Sequence, residues 1–302
     1  MPPTLTLGHS PDPDDAFMWW PLLEIDGRPP CVGSGRFRFE AVAEDIETLN
    51  RRAEAGDLDI TAISCAQYAR VGGRYAITSC GASMGDGYGP KIVARRPMAV
   101  ETLADPSMTL AVPGERTSAM AAARLRLAPR AFRHEVVPFD EIIDRVADGA
   151  FDAGLVIHEG QLTFEDAGLV LVEDLGAWWT RRTGLPLPLG LNVVRRDLDE
   201  IHGPGALAEI ARLQRDSVLY ALEHRDEALR HARVHARGLD DATAGVFVDL
   251  YVNTWTLDFG PRGREGVAVF LRAAAAAGAL PAVERIVFAT PEGVEELVPG
   301  SG

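Results

Sequence analysis

The chain has 302 residues, of which 47% are hydrophobic and 25% charged, and its formal net charge is −14 at pH 7. Nucleic acids and anionic membranes bind clusters of cationic side chains, so this acidic balance argues against both as partners and favours a small-molecule ligand. A chain of this length predicts one large or two smaller lobes. The cysteines Cys31, Cys65 and Cys80 show no CxxC spacing, which predicts neither a zinc site nor a disulfide framework and indicates a reducing compartment.

The N-terminal residues 1–15 have no basic segment followed by a long apolar one, as a secretion signal would. No charge-free apolar run elsewhere reaches the length of a bilayer span. We therefore expect neither secretion through an encoded signal nor a membrane segment, although a processed secreted chain would look the same.

Short apolar runs alternate with helical patterns through the first part of the chain. The first series predicts strands at TLTL, FRFEAV, LDITAIS and YAITSC. The second series predicts strands at TLAVPG, RHEVVPF and FDAGLVI. This alternation is typical of a mostly parallel sheet with helices on its faces, so the two series predict two similar α/β lobes.

The remainder of the chain indicates how the lobes are connected. Residues 203–278 have an almost continuous helical pattern, and a purely helical tail must pack on a lobe that already exists. We infer that the strand-like runs KIVAR and LNVVR are two crossings between lobes. Lobe 1 is then discontinuous, 1–93 with 194–302, and lobe 2 is the inserted segment 94–193. Such an architecture predicts a ligand cleft between the lobes.

The loop GHSPDPDDAF directly follows the first predicted strand. In an open α/β sheet, the loop beyond the carboxyl end of a strand lies at the ligand crevice. One interpretation is an ordinary helix start, in which Asp12 or Asp14 binds the first backbone N–H groups and Pro13 occupies the first turn. The other interpretation is that this loop, which begins at Ser10, forms one wall of a site.

His158 follows the predicted strand FDAGLVI and is the candidate base. A histidine at this position faces the crevice, and its ordinary pKa of about 6.5 suits proton transfer at neutral pH. Glu159 could set the tautomer of the imidazole, although adjacent strand residues point to opposite faces. The alternative is a histidine that only caps the strand through a hydrogen bond.

Hydroxyl side chains stand at two further turns that join a strand to a helix. Thr117 and Ser118 are natural N-cap residues, and the N–H groups of that helix start would also attract a carboxylate or phosphate. Ser64 occupies the equivalent place in the first lobe. Capping of the helix and binding of a ligand at its start can hold at once.

Two other patterns favour ordinary structure over chemistry. The glycine-rich run 81–90 precedes a strand and has neither GxGxxG spacing nor a Walker lysine, so it predicts a wall or hinge turn instead of a nucleotide loop. His231 and His235 stand four apart on a predicted helix, but arginines surround them and no HExxH motif is present, which favours a solvated face over a metal site.

Trp178 and Trp179 predict packing between helix and sheet, and apolar surface near Trp178 could serve a homodimer.

Several motifs occur in order across nearly the whole chain: SPDPDDAF, TLNRRAEAGDLDITAIS, YGPKIVAR, AVPGERTSA, DAGLVIHEGQLTF, DLGAWWTRRTGLPLPLG and YVNTWTLDFGPRG. Together they resemble the 1,4-dihydroxy-6-naphthoate synthases of the futalosine route to menaquinone. The combination of IHEG, DLGAWW and TGLPLPLG is the most specific part. The wider family includes chorismate dehydratase and shares the two-lobed α/β fold of type 2 periplasmic binding proteins.

The resemblance implies a cytoplasmic lyase that needs no metal or other cofactor and converts cyclic dehypoxanthine futalosine to 1,4-dihydroxy-6-naphthoate. By the same resemblance, His158 is the general base and Ser64, Thr117 and Ser118 contact the bound acid. We add Ser10 and Asp14 of the N-terminal loop as substrate-binding candidates. The alternatives are a non-catalytic small-molecule binding protein, or a divergent lyase such as chorismate dehydratase, on the same scaffold.

The N-terminal loop departs from the motif that it resembles. The family pattern is similar to SPCPNDTF, whereas this chain has Asp12, Asp14 and Ala16 in place of the cysteine, the asparagine and the threonine. If these side chains line the site, the two added carboxylates should repel an anionic substrate.

Overall fold

The computed structural model describes residues 2–33, 35–158, 160–233, 245 and 248–299. Its strands are β1 (Thr4–His9), β2 (Arg38–Ala43), β3 (Ile60–Ser64), β4 (Tyr75–Thr78), β5 (Ser83–Gly85), β6 (Lys91–Ala94), β7 (Thr109–Val112), β8 (Arg133–Val136), β9 (Ala153–Val156), β10 (Val170–Asp174), β11 (Leu187–Arg195), β12 (Ile286–Thr290) and β13 (Gly293–Leu297). Its helices are α1 (Pro13–Trp19), α2 (Ile46–Ala55), α3 (Tyr68–Val71), α4 (Ser118–Leu127), α5 (Ile142–Ala147), α6 (Gly160–Thr163), α7 (Leu175–Thr183), α8 (Leu198–His202), α9 (Ala206–Glu223), α10 (Arg225–Arg233), α11 (Thr254–Leu257) and α12 (Gly260–Ala276).

The strands form two separate sheets, and the chain is a two-lobed α/β protein. The first sheet has the order β13-β12-β4-β11-β3-β1-β2, with β5 paired to β11, and the second has the order β10-β6-β9-β7-β8. All five residues of β3 and all five of β12 are buried. These strands read as continuous apolar runs in the sequence because both faces of the sheet are covered by helices.

Both sheets are mixed, which corrects the prediction of mostly parallel sheets. Strand β11 runs antiparallel to β3 and β4, and strand β6 runs antiparallel to β9 and β10. These two strands contain the predicted crossings, KIVAR and LNVVR. A chain that arrives from the other lobe enters a sheet at the edge where the parallel strands end, so its strand runs opposite to them.

The sheets divide the chain close to the predicted lobe limits. The first sheet takes its strands from residues 4–85 and 187–297, and the second from residues 91–174. The predicted limits at 93/94 and 193/194 fall inside β6 and β11. The division of the chain into lobes 1–93 with 194–302 and 94–193 stays a prediction.

The helical tail is divided into shorter helices instead of forming one long run. Helix α9 ends at Glu223, and α11 begins behind Asn253, whose side chain accepts a hydrogen bond from the backbone N–H of Trp255. Such a cap fixes a helix start, so the periodic pattern alone overestimates helix length here. Among the helices of the described residues, none is both long enough and apolar enough to cross a membrane.

One apolar core cluster contains residues from both lobes. Helix α4 of the second lobe packs against α12 and β11 of the first. The fully buried Trp179 packs edge-to-face on Phe270, with 5.7 Å between ring centroids. The predicted packing role of Trp179 is therefore confirmed, while Trp178 is partly buried between the guanidinium groups of Arg126 and Arg182.

Candidate functional site

A cavity of about 110 Å³ lies between the two lobes. Four parallel strands end toward this cavity, namely β1 and β3 of the first sheet and β7 and β9 of the second. Residues at the carboxyl ends of these strands, or in the turns that follow them, line the cavity. Its polar lining consists of Ser10, Asp12, Asp14, Asp15, Ser64, Ser83, Thr117, Ser118, His158, Gln161, Asn192 and Tyr251. The six residues predicted as the site, His158 with Ser10, Asp14, Ser64, Thr117 and Ser118, are all in this set.

The loop between β1 and α1 brings three buried carboxyl groups into the cavity. Asp12, Asp14 and Asp15 are each 8% exposed. Asp15 holds the loop in place, because its Oδ2 accepts a hydrogen bond of 2.7 Å from the backbone N–H of Ser10. The hydroxyl of Ser83 donates a hydrogen bond of 3.1 Å to Asp14 Oδ2.

Burial shifts the titration of two of these carboxyl groups. Loss of hydration raises the pKa of Asp14 to about 6, and the neighbouring charge of Asp12 adds to the increase. Loss of hydration also raises the pKa of Asp15 to about 8, with the charge of Asp14 as the next cause. At neutral pH the loop therefore carries less negative charge than its three aspartates would in water.

Asp12 occupies the N-cap position of α1, but its side chain makes no capping hydrogen bond. Instead, its Oδ2 accepts a hydrogen bond of 2.7 Å from Ser10 Oγ and lies 3.0 Å from Nδ1 of His158. The helix-start interpretation of the loop thus accounts for Pro13 but does not account for the carboxylate of Asp12.

His158 stands directly at the cavity, in a strained backbone conformation. Its φ of 56° lies in the left-handed region, which non-glycine residues seldom adopt and which is concentrated at functional sites. Its carbonyl accepts a hydrogen bond from the N–H of Gln161, and the ring of Phe139 packs edge-on against the imidazole at 4.7 Å. The imidazole is directed to Asp12 of the other lobe. Glu159, the predicted partner, lies outside the described residues.

Of the described first-lobe serines that line the cavity, Ser64 is the one whose hydroxyl proton is available to a ligand, since Ser10 and Ser83 donate theirs to aspartates. Its backbone N–H donates to Asn50 Oδ1 at 2.8 Å, and its Oγ accepts from Asn50 Nδ2 at 3.1 Å. Among the described residues, no acceptor takes the hydroxyl proton of Ser64.

Thr117 and Ser118 line the cavity, but their hydroxyl protons are already used. Thr117 caps α4: its Oγ1 accepts from the N–H of Met120 at 3.1 Å and donates to the carbonyl of Gly114 at 2.9 Å. Ser118 donates to the carbonyl of Leu189 at 2.6 Å. Because a hydroxyl has one proton, the donors left for a ligand at this turn are the N–H groups of the first turn of α4, with Ser118 and Ala119 on the cavity wall.

Sequence reasoning missed polar groups that come from segments distant in the chain. Asn192 lies in β11, is 1% exposed, and its Oδ1 has no hydrogen-bond partner among the described residues. Gln161 of α6 donates to the hydroxyl of Tyr251 at 2.8 Å, which joins the second lobe to the helical tail. The signal for Asn192 was present: an amide inside the apolar run LNVV needs a buried partner.

The positions of other residues discussed from the sequence are as follows. Residues 83–85 of the glycine-rich run form β5, which pairs with β11, in keeping with a wall segment. Ala16 is not among the residues that line the cavity and lines a separate depression together with Trp19 and Trp20. His231 stacks on Trp20 at 4.5 Å, and His235 lies outside the described residues.

In the described part of the chain, no group of three or more histidine, cysteine, aspartate or glutamate side chains is arranged to hold a metal ion.

Two α/β lobes around a central cavity define the class of periplasmic-binding-protein-like folds. The ligand-binding component of an ABC-type import system from Staphylococcus aureus matches with a TM-score of 0.63 at 13% identity, over 93% of this chain and 94% of that one. The periplasmic aliphatic sulphonate-binding protein of Escherichia coli matches with a TM-score of 0.60 at 12% identity, over 91% of this chain and 87% of that one. At these identities the likeness shows the fold alone.

Closer relatives define the family. A family model described as menaquinone biosynthesis matches residues 5–276. The 1,4-dihydroxy-6-naphthoate synthase of Thermus thermophilus is 42% identical over 275 residues, 91% of this chain and 95% of that protein. The synthase of Streptomyces coelicolor is 36% identical over 293 residues, 95% of this chain and 99% of that protein. A crystal structure from Archaeoglobus fulgidus matches with a TM-score of 0.82 at 39% identity, over 92% and 98% of the two chains. The chain belongs to the menaquinone biosynthesis family.

The raised pKa of Asp15 predicts a pH-dependent stability. A carboxyl group whose pKa is raised in the folded state binds more protons there than in the unfolded state between the two pKa values, here from 3.8 to about 8. The free energy of unfolding should therefore fall as pH rises from 5 to 8. Asp15→Asn keeps an oxygen for the Ser10 N–H but cannot ionise, so it should reduce this fall by about 1 kcal/mol or more.

Urea unfolding at several pH values between 5 and 8 measures this difference. Asp166→Asn, at an exposed position, is the matched control and should follow the wild type. Parallel curves for Asp15→Asn and the wild type would show that Asp15 ionises normally in the folded protein.

Proposed function

We propose that this chain is a lyase that converts cyclic dehypoxanthine futalosine to 1,4-dihydroxy-6-naphthoate in menaquinone biosynthesis, with His158 as the general base. The observation that carries the proposal is the position of the His158 imidazole at a cavity between two lobes, in a chain of this family. Both curated relatives reported above are named as 1,4-dihydroxy-6-naphthoate synthases over nearly the whole chain.

The reaction begins with removal of a proton from a carbon next to a carbonyl group. A neutral imidazole can accept this proton, and a positioned base of this kind contributes about 10²- to 10⁴-fold to the rate. The developing charge on the carbonyl oxygen needs a hydrogen-bond donor, and the Ser64 hydroxyl supplies one because its proton has no other acceptor among the described residues. Formation of the aromatic ring then helps to drive loss of the sugar fragment.

The charges around the cavity orient the substrate. Its carboxylate is repelled by Asp12 and Asp14 and attracted by the N–H groups at the start of α4, a ten-residue helix whose first turn lines the cavity. The carboxylate therefore binds at α4, and the carbon that loses its proton faces His158. The buried Oδ1 of Asn192 accepts a hydrogen bond from a hydroxyl group of the sugar fragment.

Enclosure between the lobes keeps water from the reactive intermediate. Contacts that cross the cavity hold the lobes together, namely His158 with Asp12, Ser118 with Leu189, and Gln161 with Tyr251. The proposed reaction uses no metal or redox cofactor.

The protein acts on a small-molecule substrate, and we propose that it does so in the cytoplasm. A homodimer formed through the face around Trp178 stays a prediction. Arginine side chains cover the ring of Trp178 in the single chain, so a dimer would bury these cations as well.

The first test of the function is the substitution His158→Asn. Asparagine tolerates the left-handed backbone that this position requires, so the fold should persist. Its amide cannot accept the proton, and kcat should fall by about 10²- to 10⁴-fold while the dissociation constant of the substrate changes little. Product is measured by absorbance and mass after incubation of purified protein with cyclic dehypoxanthine futalosine.

The wild type and the exposed control Glu265→Gln should both form product. Near-normal turnover in His158→Asn would remove His158 from the mechanism. Binding of the compound without product by the wild type would favour the non-catalytic binder, and turnover of chorismate in its place would favour the divergent lyase.

The second test concerns the charge of Asp14. Since burial raises the pKa of this carboxyl group to about 6, it is protonated at pH 5 and ionised at pH 8. Asp14→Asn keeps the acceptor for Ser83 and removes the charge, so substrate affinity should increase at pH 8 and stay nearly unchanged at pH 5. A repulsion of about 1 kcal/mol corresponds to about a fivefold change in the dissociation constant.

Calorimetric titration in the His158→Asn background measures this effect without turnover and without the charge of the imidazole. Equal affinity of the two proteins at pH 8 would mean that the substrate carboxylate lies beyond the reach of Asp14.

A further inference from the structure

The contact between Asp12 and His158 joins two groups that are far apart in the chain. Asp12 follows β1 in the first lobe and His158 follows β9 in the second, yet Oδ2 and Nδ1 are 3.0 Å apart. The side chains are 11% and 16% exposed, respectively. An ion pair or hydrogen bond at this depth is screened far less by water than one on the surface.

The carboxylate of Asp12 is itself held in a fixed orientation. The hydroxyl of Ser10 donates a hydrogen bond of 2.7 Å to the same Oδ2, and Ser10 Oγ accepts one of 3.2 Å from the backbone N–H of Asp12. With these hydrogen bonds the side chain of Asp12 faces the cavity, and it makes no capping hydrogen bond to α1.

The carboxylate selects the tautomer of the imidazole. A neutral histidine carries one proton, and a carboxylate beside Nδ1 places that proton on Nδ1 and the lone pair on Nε2. The same negative charge stabilises the imidazolium that forms when Nε2 accepts a second proton. Phe139 packs on the ring and limits its rotation, so the choice of nitrogen is kept.

We propose that Asp12 is a positioning residue, whose carboxylate holds Nδ1–H of His158 and thereby makes Nε2 the nitrogen that accepts the substrate proton. The proposal rests on the proposed function of His158 as a base. Because the two groups belong to different lobes, the base is complete only when the lobes are together.

The proton step balances without any further reactant. The C–H bond next to the carbonyl breaks, its proton goes to Nε2, and its electron pair enters the enolate. The proton on Nδ1 remains there, hydrogen-bonded to Asp12, and the imidazolium returns the Nε2 proton at a later step.

The tautomer of His158 is read directly from the ¹⁵N signals of the imidazole in histidine-labelled protein. The chain has 7 histidines, and the signals absent from His158→Asn identify residue 158. The wild type should show a protonated Nδ1 and an unprotonated Nε2 while the imidazole is neutral. Asp12→Ala should move the proton to Nε2 or produce a mixture, and Asp12→Asn should do the same because its amide N–H can donate to Nδ1.

Asp14 is the matched control in this measurement, because its charge also acts on His158 while its carboxylate is bound to Ser83. Asp14→Asn should leave the protonated nitrogen unchanged. Asp15, the third carboxyl group of the loop, is bound to the Ser10 backbone and is left intact.

Turnover gives the second measurement. Asp12→Ala should lower kcat by about 10- to 100-fold with little change in KM, because the imidazolium loses a charge-assisted hydrogen bond. Asp12→Asn should lower kcat at least as much, because its amide also favours the other tautomer. Melting temperatures within a few degrees of the wild type confirm that the variants are folded.

An unchanged tautomer in Asp12→Ala would overturn the proposal, whatever happens to kcat. A wild-type kcat in Asp12→Ala would overturn it as well. The ¹⁵N measurement needs no turnover, so a failure of the proposed lyase activity is recognised separately, as a wild-type protein that shows the expected tautomer but forms no product.

Discussion

The concentration of carboxyl groups around one imidazole is the constraint on which the site depends. Three buried aspartates follow the first strand, and a buried loop cannot hold three uncompensated charges. The structure resolves this in three ways: the pKa of Asp15 is raised to about 8, Asp14 is bound to Ser83 and has a raised pKa, and Asp12 contacts His158. The histidine thus contributes both to the stability of the loop and to the chemistry that we propose.

This constraint gives the cavity two electrically different regions. The loop between β1 and α1 is acidic, and the start of α4 presents backbone N–H groups. A substrate with one carboxylate has a preferred orientation in such a field, which requires no dedicated arginine or lysine in the cavity lining. The negative net charge of the chain, which argues against anionic macromolecules, is compatible with a small acidic ligand because the backbone N–H groups at the start of α4 provide a local positive field.

The sequence was sufficient to predict which residues meet at one cavity, but not to assign each group its contacts. Ser10, Ser64, Thr117 and His158 could be predicted because each stands where a strand ends, and parallel strands end at the same edge of a sheet. The same position does not reveal that the hydroxyl of Thr117 is used by its own helix, since that depends on the geometry of the turn.

Other features depend on contacts between distant segments. The antiparallel direction of β6 and β11 follows from where the chain crosses between lobes, which periodicity does not record. The helix-start interpretation of Asp12 was reasonable from local sequence, and only the other lobe supplies its actual partner, His158. The amide of Asn192 is joined to the site in the same way, through the return of the chain to the first sheet.

The most direct test of this account is a crystal structure of His158→Asn with cyclic dehypoxanthine futalosine bound. We predict that the substrate lies in the cavity between the lobes, with its carboxylate hydrogen-bonded to the N–H groups at the start of α4 and the carbon that loses its proton facing side chain 158. A substrate bound elsewhere, or with its carboxylate against Asp12 and Asp14, would contradict both the orientation and the role given to His158.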